Sequence, residues 1–260
     1  MNSWLYFRQM FAGAVNAEWR IHAPGITYEV DAYWLSFPPP AVRAHAAVTL
    51  GLLLITIAAV VTNSTVLLVY RRNRCLNKGL RQYIQLMALS DLAAALGSNW
   101  MFIASSFQQY WLFGQQGCEF YGFTQSLCAF ISMMAATSIA VERALLLARQ
   151  QFYFQCHAIS GYAWKSSLAV VSYCLLLTVP PLLGFNSYRL EGFLTSCSFD
   201  FISSHWVDRS YFLALFTLGF FLPLGFILAS SCFIFRSLKQ ALLRNYWLFD
   251  PNIPHLPGAI

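Results

Sequence analysis

Formal charge is the scarcest property of this sequence. Of its 260 residues, 16 are Lys or Arg and 10 are Asp or Glu, so that 10% of the chain is charged. Ordinary soluble domains carry about 25%. Apolar residues make up 58% and aromatic residues 17%, and the mean hydropathy is +0.54. These values exclude a disordered, collagen-like or disulfide-scaffold protein, and a surface so poor in charge would not keep a soluble domain in water.

Patterns of catalysis and metal binding are also lacking. The sequence has no glycine-rich phosphate loop, no His/Cys cluster with metal-ligand spacing, and no Ser/His/Asp set placed for nucleophilic catalysis. The net charge of +6 does not indicate a nucleic-acid partner, because the charges cluster between long uncharged runs. We therefore predict a protein that is not an enzyme and that binds neither metal nor nucleic acid.

Long uncharged runs are what the sequence has instead. Arg43 and Arg71 enclose 27 residues without a formal charge, and a helix needs only about 20 apolar residues to cross a bilayer core. The runs predict an all-α fold, a polytopic transmembrane bundle of five helices within residues 44–235. After the first run, the others lie at 92–118 (entered by a helix that begins near Gln82), 120–141, 166–188 and 210–235.

The basic residues predict how the helices are oriented. Lys and Arg resist translocation, so the side of the membrane with more of them is cytoplasmic. The connecting segments place 11 basic residues on one side and 5 on the other. This predicts a plasma-membrane protein with an extracellular N-terminal segment at 1–43 and a cytoplasmic tail at 236–260, with a basic fringe that contacts lipid headgroups. Pro251 predicts that the last helix ends by about Phe249.

Ionisable side chains inside a span are costly and therefore indicate function. Asp91 lies within the second predicted helix, and Asn63 lies at a comparable depth in the first, where its amide could hydrogen-bond the carboxylate. The alternative is a clamp that only joins two helices. Glu142 and Arg143 close the third uncharged run on the cytoplasmic side, where they form an acid-base pair or simply reach into the headgroups.

Two of the seven cysteines face the oxidising side in this topology. Cys75 and Cys156 face the cytosol, and three more fall inside spans. Cys118 at the start of the third helix and Cys197 in the outer segment remain. We predict a disulfide between them, against the alternative of two unpaired thiols.

Together these residues resemble the rhodopsin-type G-protein-coupled receptors. The resemblance covers about residues 33–245 and rests on spacing across four helices. The matching positions are Asn63, Asp91 in Leu-Ser-Asp-Leu, Cys118, Glu142-Arg143 in place of the acid-Arg-Tyr motif, and Pro223 in the fifth helix. Ala144 departs from the family, because the motif has tyrosine there.

The outer segment is similar to that of opsins, and most closely to rhabdomeric opsins, which include melanopsin. The stretch that carries the resemblance is Leu190-Glu191-Gly192-Phe193-Leu194-Thr195-Ser196-Cys197-Ser198-Phe199-Asp200-Phe201. The resemblance implies a light receptor with retinal as cofactor and a Gq-type G protein as partner, and it allows an opsin dimer. It also implies that Glu191 is the retinal counterion, that Tyr121 lines the retinal pocket, and that Arg143 couples to the G protein.

The chromophore lysine of opsins is on the seventh helix, whereas the lysines here are Lys78, Lys165 and Lys239, all in cytoplasmic segments. From this we predict a five-helix truncated opsin that does not by itself form the retinal Schiff base. Two alternatives stay open: an opsin-like retinal photoisomerase, and a non-signalling partner that pairs with a full-length opsin through its unsatisfied helix faces.

Overall fold

The computed structural model describes residues 19–23, 26–37, 40–72, 78–148 and 162–249. Most of these residues are helical, as the uncharged runs predict. The elements are β1 (Trp19–Ala23), β2 (Ile26–Val30), α1 (Ala32–Leu35), α2 (Val42–Arg72), α3 (Lys78–Gly97), α4 (Asn99–Gln108), α5 (Gly114–Ala148), α6 (Tyr162–Thr178), a 3-10 turn (Pro180–Leu183), β3 (Tyr188–Glu191), β4 (Ser196–Phe199), α7 (Trp206–Phe216), a π-helical turn (Thr217–Phe221) and α8 (Leu222–Phe249).

Four helical segments are long and apolar enough to cross a membrane, and they correspond to the first, second, third and fifth predicted spans. This confirms the transmembrane helix bundle. The segments are Val42–Arg71, Gly79–Gln108, Gly114–Ala148 and Trp206–Leu243.

The fourth predicted span is shorter than its uncharged run. The run at 166–188 predicts helix throughout, but α6 ends at Thr178. Pro180 and Pro181 follow at once, and proline can neither donate the next helical hydrogen bond nor avoid the carbonyl four residues back. Residues 149–161, which precede α6, lie outside the described ranges, and so do Cys75 and Cys156.

The fifth helix extends beyond the predicted boundary at residue 235. It continues through α8 to Phe249, so residues 236–249 of the predicted tail are helical and form one element with the span. The helix end expected from Pro251 stays a prediction. Residues 250–260 are outside the described part of the chain.

A π-helical turn joins α7 to α8, and the sequence analysis did not predict it. The turn covers Thr217–Phe221 and ends two residues before Pro223, which is fully buried. The ring of Pro223 would meet the carbonyl of Gly219 in an ordinary helix, and a widened turn at this point relieves the clash. Tyr173 of α6 donates a hydrogen bond to the Leu218 carbonyl of the turn at 3.0 Å, so a backbone acceptor in the turn is satisfied from the neighbouring helix.

Two antiparallel β-hairpins depart from the all-α prediction. The β1–β2 pair precedes α1, and the β3–β4 pair lies between α6 and α7. Strands of four or five residues are too short to show a clear alternating pattern against an apolar background. Trp34, just after the first hairpin, packs edge-on against Phe201, just after the second, with ring centroids 6.1 Å apart. The N-terminal segment and the second hairpin therefore lie at the same end of the bundle.

The helix α5 is the centre of the bundle. It packs against α3, α6 and α8 along its length and against both strands of the second hairpin at its N-terminal end. Its buried side chains include Cys118 and Tyr121 near that end and Glu142 near the other. The arrangement brings the predicted site residues of the third helix into contact with three different elements.

Candidate functional site

A disulfide bond holds the second hairpin against the N-terminal end of α5. Cys118 and Cys197 are bonded, with their Cα atoms 5.5 Å apart, which confirms the predicted pair. A second link is the hydrogen bond at 3.3 Å from the Ser106 hydroxyl of α4 to the Thr195 hydroxyl, both of which are buried. Thr195 and Cys197 thus attach the hairpin to two different helices, α4 and α5.

The hairpin has two different faces. Leu190 pairs with Cys197 in the strand register, and both are buried. Successive strand residues point to opposite faces, so Glu191 and Ser198 belong to the other, half-buried face. The apolar face packs on the bundle and the polar face carries the predicted counterion.

Glu191 has a direct partner on this polar face. The Ser198 hydroxyl donates a hydrogen bond of 2.6 Å to Glu191 Oε2. A hydroxyl donating to a carboxylate is among the stronger hydrogen bonds in proteins. Glu191 is therefore held within the hairpin and is not a freely solvated loop acid.

Tyr121 lies beneath the apolar face of the hairpin. Its ring packs edge-on against Trp111, with centroids 5.5 Å apart, and against Phe102 at 6.3 Å. Trp111 is fully buried, and its indole N–H donates to the Gly114 carbonyl at 2.8 Å. Tyr121 belongs to one apolar cluster with Leu190 and the disulfide, so a residue expected in the retinal pocket lies directly against the hairpin that carries Glu191.

Tyr188 anchors the first strand of the hairpin. Its side chain is 1% exposed, and its hydroxyl donates to the Thr178 carbonyl at the end of α6 at 2.8 Å. Burial raises the pKa of Tyr188 above its ordinary value near 10, because the ionised phenolate would lose its hydration. The hydroxyl therefore remains a hydrogen-bond donor at neutral pH.

Asp91 is paired, but with a residue that the sequence analysis did not identify. The Ser132 hydroxyl of α5 donates to Asp91 Oδ1, and it also lies 2.9 Å from the Ser90 hydroxyl. The Asn63 amide donates to the Ala59 carbonyl of its own helix at 3.0 Å. The expected hydrogen bond between Asn63 and Asp91 is wrong, because serine from the adjacent helix occupies the carboxylate and Asn63 bonds within α2.

A second series of hydrogen-bonded polar side chains connects three helices in the half of the bundle next to the second hairpin. Gln125 of α5 donates through Nε2 to Asn99 Oδ1 of α4 at 2.5 Å, and Asn99 Nδ2 donates to Thr56 Oγ1 of α2 at 3.0 Å. None of the three was predicted as a site residue. The sequence shows Asn99 and Gln125 as amide residues within two different uncharged runs. The fold is needed to show that their side chains meet.

Glu142 and Arg143 lie near the other end of α5. Glu142 is buried at 6% exposure, and Arg143 is exposed. The two interact electrostatically. The acid therefore faces the bundle while the base faces outward, which leaves the guanidinium accessible from the side opposite to the hairpin.

Comparison with known proteins identifies the family to which this arrangement is similar. Residues 62–246 match the model of the 7 transmembrane receptor (rhodopsin family). Mouse melanopsin (Mus musculus) is 35% identical over 234 residues, which cover 87% of this chain and 44% of melanopsin. Human melanopsin (Homo sapiens) is 36% identical over 216 residues, which cover 80% of this chain and 44% of melanopsin. The chain thus spans less than half the length of these relatives.

A Gq-coupled rhodopsin from the scallop Mizuhopecten yessoensis is 27% identical over 218 residues, covering 81% of this chain and 42% of that protein. The crystal structure of squid rhodopsin matches with a TM-score of 0.72 at 23% identity, covering 88% of this chain and 66% of the squid chain. This second likeness shows the fold. These relatives are receptors and not enzymes. The chain belongs to the rhodopsin family of seven-transmembrane receptors, as an opsin-type integral membrane protein similar to melanopsin.

Proposed function

We propose that the chain serves retinal-based light detection with coupling to a Gq-type G protein. The observation that carries the proposal is the hairpin fastened by Cys118–Cys197 over Tyr121, with Glu191 held by Ser198 on its polar face. Glu191 lies on the face of the hairpin opposite to Tyr121 but interacts with it electrostatically, and a carboxylate within this reach is suited to stabilise a cationic ligand group. Similarity to melanopsins and to a Gq-coupled rhodopsin supports the same function.

The aromatic side chains around Tyr121 fit retinal as an apolar polyene ligand, but these residues do not supply its covalent bond. Lys165 is exposed near the start of α6, Lys239 is exposed in the C-terminal half of α8, and Lys78 is the first residue of α3. Each of them lies within four residues of the end of an apolar segment. Retinal would supply the light-absorbing polyene, and in our proposal this chain contributes Tyr121 as a wall of the pocket and Glu191 as the counterion.

The inner end of α5 carries the coupling part of the proposal. Arg143 is exposed there while Glu142 is buried, so the guanidinium is available to a cytoplasmic G protein when the N-terminus lies outside. We assign Asn63, Asp91 and Pro223 to the conformational change between the two ends. Asp91 is hydrogen-bonded to α5, and Pro223 follows the π-helical turn of the fifth helix. The plasma membrane is the expected location, and pairing with a second opsin is compatible with the proposal.

Retinal binding is testable on the 260-residue chain itself. Purified protein in lipid nanodiscs is titrated with 11-cis-retinal, and quenching of its tryptophan fluorescence is followed; the chain has 8 tryptophans. We expect saturable binding and no visible absorbance band that survives acid denaturation, because the lysines of the sequence lie at the ends of apolar segments and not in their interior. Failure to bind retinal would contradict the proposed cofactor, and an acid-stable band would contradict the assignment of non-covalent binding.

Signalling is tested with a chimera. Residues 40–249 are joined to the remaining helices of mouse melanopsin, and calcium release is measured in cells supplied with 11-cis-retinal. We expect a light-dependent response that Arg143→Ala abolishes and that Glu191→Gln shifts to shorter or longer wavelengths. A chimera that reaches the cell surface and binds retinal but gives no response to light would refute the coupling role.

A further inference from the structure

The carbonyl of Leu218, inside the π-helical turn, is reached by neither of its usual backbone donors. In an α-helix it would accept from the N–H of Leu222, four residues on, but that N–H donates to the Thr217 carbonyl here. In a π-helix the donor would be the residue five positions on, which is Pro223 and has no N–H. The hydroxyl of Tyr173 in α6 takes the place of the missing donor, at 3.0 Å from the Leu218 carbonyl.

The environment of the turn makes this hydrogen bond important. The turn lies within Trp206–Leu243, a segment long and apolar enough to cross a membrane. A backbone carbonyl inside a bilayer has no water to bond, and leaving it without a partner is costly. The Leu218 carbonyl therefore needs the hydroxyl of Tyr173 or the N–H of Leu222, and these two donors belong to two different helix registers.

Each of the two registers has one defect. In the π register the Leu218 carbonyl depends on a donor from another helix. In the α register the N–H of Leu222 returns to Leu218, but the ring of Pro223 then meets the Gly219 carbonyl. Membrane helices tolerate a proline kink of this kind when neighbouring groups compensate. The hydrogen bond from Tyr173 is thus the contact that favours the π register over the α register.

A change of register would reorient α8. The π-helical turn accommodates one additional residue, so a return to the α register rotates the residues after the turn by about 100° around the helix axis. Each residue of α8 would then occupy the place of the residue that follows it. Because α8 packs against α5, a different set of α8 side chains would face the helix that carries Arg143.

We propose that Tyr173 is a positioning residue that selects the register of the fifth helix. While its hydroxyl bonds the Leu218 carbonyl, the helix keeps the π-helical turn; when this bond is released, α8 rotates into the α register. The contact couples α6 to the orientation of the C-terminal half of the fifth helix. The inference goes beyond the proposed function, and its test needs neither retinal nor a G protein.

Two neighbouring positions on α8 distinguish the registers. Ala229 is exposed and Ser230 is 9% exposed, and in the α register position 229 would take the buried place of position 230. Ala229→Cys and Ser230→Cys are made singly in the full 260-residue chain, with Cys75, Cys156 and Cys232 replaced by serine. Each variant is labelled with trifluoroethanethiol in nanodiscs, and the relaxation of the fluorine NMR signal by dissolved oxygen is measured. We expect higher accessibility to oxygen at 229 than at 230.

Tyr173→Phe should shift this contrast. Loss of one net hydrogen bond lowers the ratio of the π to the α register by about two- to tenfold, so accessibility should fall at 229 and rise at 230. Pro223→Ala removes the clash in the α register and gives the reference pattern for the rotated helix. The matched control is Tyr211→Phe, which removes a tyrosine hydroxyl that also joins the fifth helix to α6, through the Leu177 carbonyl. It should retain the contrast of the unchanged protein.

The exchange between the two positions separates a change of register from a loss of stability. A purely structural role of Tyr173 would increase motion at both positions without exchanging them, and this result would overturn the inference. An unchanged contrast in Tyr173→Phe would also overturn it, as would an equal exchange in Tyr211→Phe, because general packing of α6 would then set the register. None of these results bears on retinal binding or coupling, so the proposed function would stand.

Discussion

The ring of Tyr188 lies directly against the backbone of Gly122. A Cβ atom built on Gly122 would stand 2.4 Å from Cδ1 of Tyr188 and 3.1 Å from its Cβ. Contact this close requires a residue without a side chain on α5. The absence of one carbon atom therefore decides how closely the second hairpin approaches the helix.

We predict that Gly122→Ala lifts the hairpin from α5. The added methyl group cannot be accommodated by a fully buried ring, and such overpacking costs about 1–3 kcal/mol. Thermal unfolding in detergent should show a lower midpoint, and retinal should bind more weakly because Glu191 moves with the hairpin. Gly51→Ala is the control, because nothing lies within 4 Å of a Cβ there. Equal behaviour of the two variants would show that the hairpin does not depend on the close contact.

The disulfide should be the strongest single restraint on the hairpin. It joins residues 79 positions apart, and removal of a native disulfide typically costs about 2–5 kcal/mol. The double variant Cys118→Ala/Cys197→Ala should unfold at a lower temperature and be cleaved faster by protease between α6 and α7. Cys232→Ala removes an exposed free cysteine and should change neither measurement. An unchanged cleavage rate in the double variant would mean that packing alone fixes the hairpin.

Ser132 should matter more for stability than Asn63, although the family pattern points to Asn63. Ser132→Ala removes a donor to the Asp91 carboxylate between two helices, and we expect a loss of about 1 kcal/mol. Asn63→Ala removes a bond within one helix and should cost less than about half of that. The check is the unfolding free energy of both variants in the same detergent. A larger loss for Asn63→Ala would contradict the pairing seen here.

A stabilising substitution is expected at His45. The side chain is 2% exposed, and neither ring nitrogen has a hydrogen-bond partner among the described residues. Its ring packs edge-on against Phe193 in the hairpin turn, with centroids 5.2 Å apart. His45→Phe keeps the aromatic contact and removes the unpaired nitrogens, so we expect a gain of about 1 kcal/mol.

His205 provides the comparison for this prediction. It is exposed and precedes α7 without a side-chain capping bond, so His205→Phe should leave the unfolding midpoint unchanged. A lower midpoint for His45→Phe would indicate that the imidazole has a polar partner in solution.

The membrane-spanning segments were accessible from the sequence because charge is a one-dimensional signal. A run such as 44–70 can be counted without knowledge of any contact, and the helix over it was confirmed. The Cys118–Cys197 bond followed from the same count, because the topology left two cysteines on one side. Predictions of this kind depend on where residues lie along the chain.

The contacts were not accessible in the same way. Asp91 was identified as an acid within a span, but Ser132 is one of many serines in apolar runs, and only the packing of α3 on α5 selects it. The amides of Asn99 and Gln125 are 26 residues apart and meet because two helices cross at that depth. Pro223 was identified from the family pattern. The π-helical turn before it was not predicted, because the effect of a proline on the backbone depends on the residue one turn earlier and on the side chains packed there.

The π-helical turn at Thr217–Phe221 also determines the angular phase of the fifth helix. One additional residue in a turn shifts all later side chains by about 100° around the axis, since an α-helix has 3.6 residues per turn. The side chains of α8 therefore point in other directions around the helix axis than an uninterrupted α-helix continued from α7 would give them. Deletion of a single residue from this turn would leave the length of the span almost unchanged, yet it would rotate the C-terminal half of the helix so that a different face contacts α5.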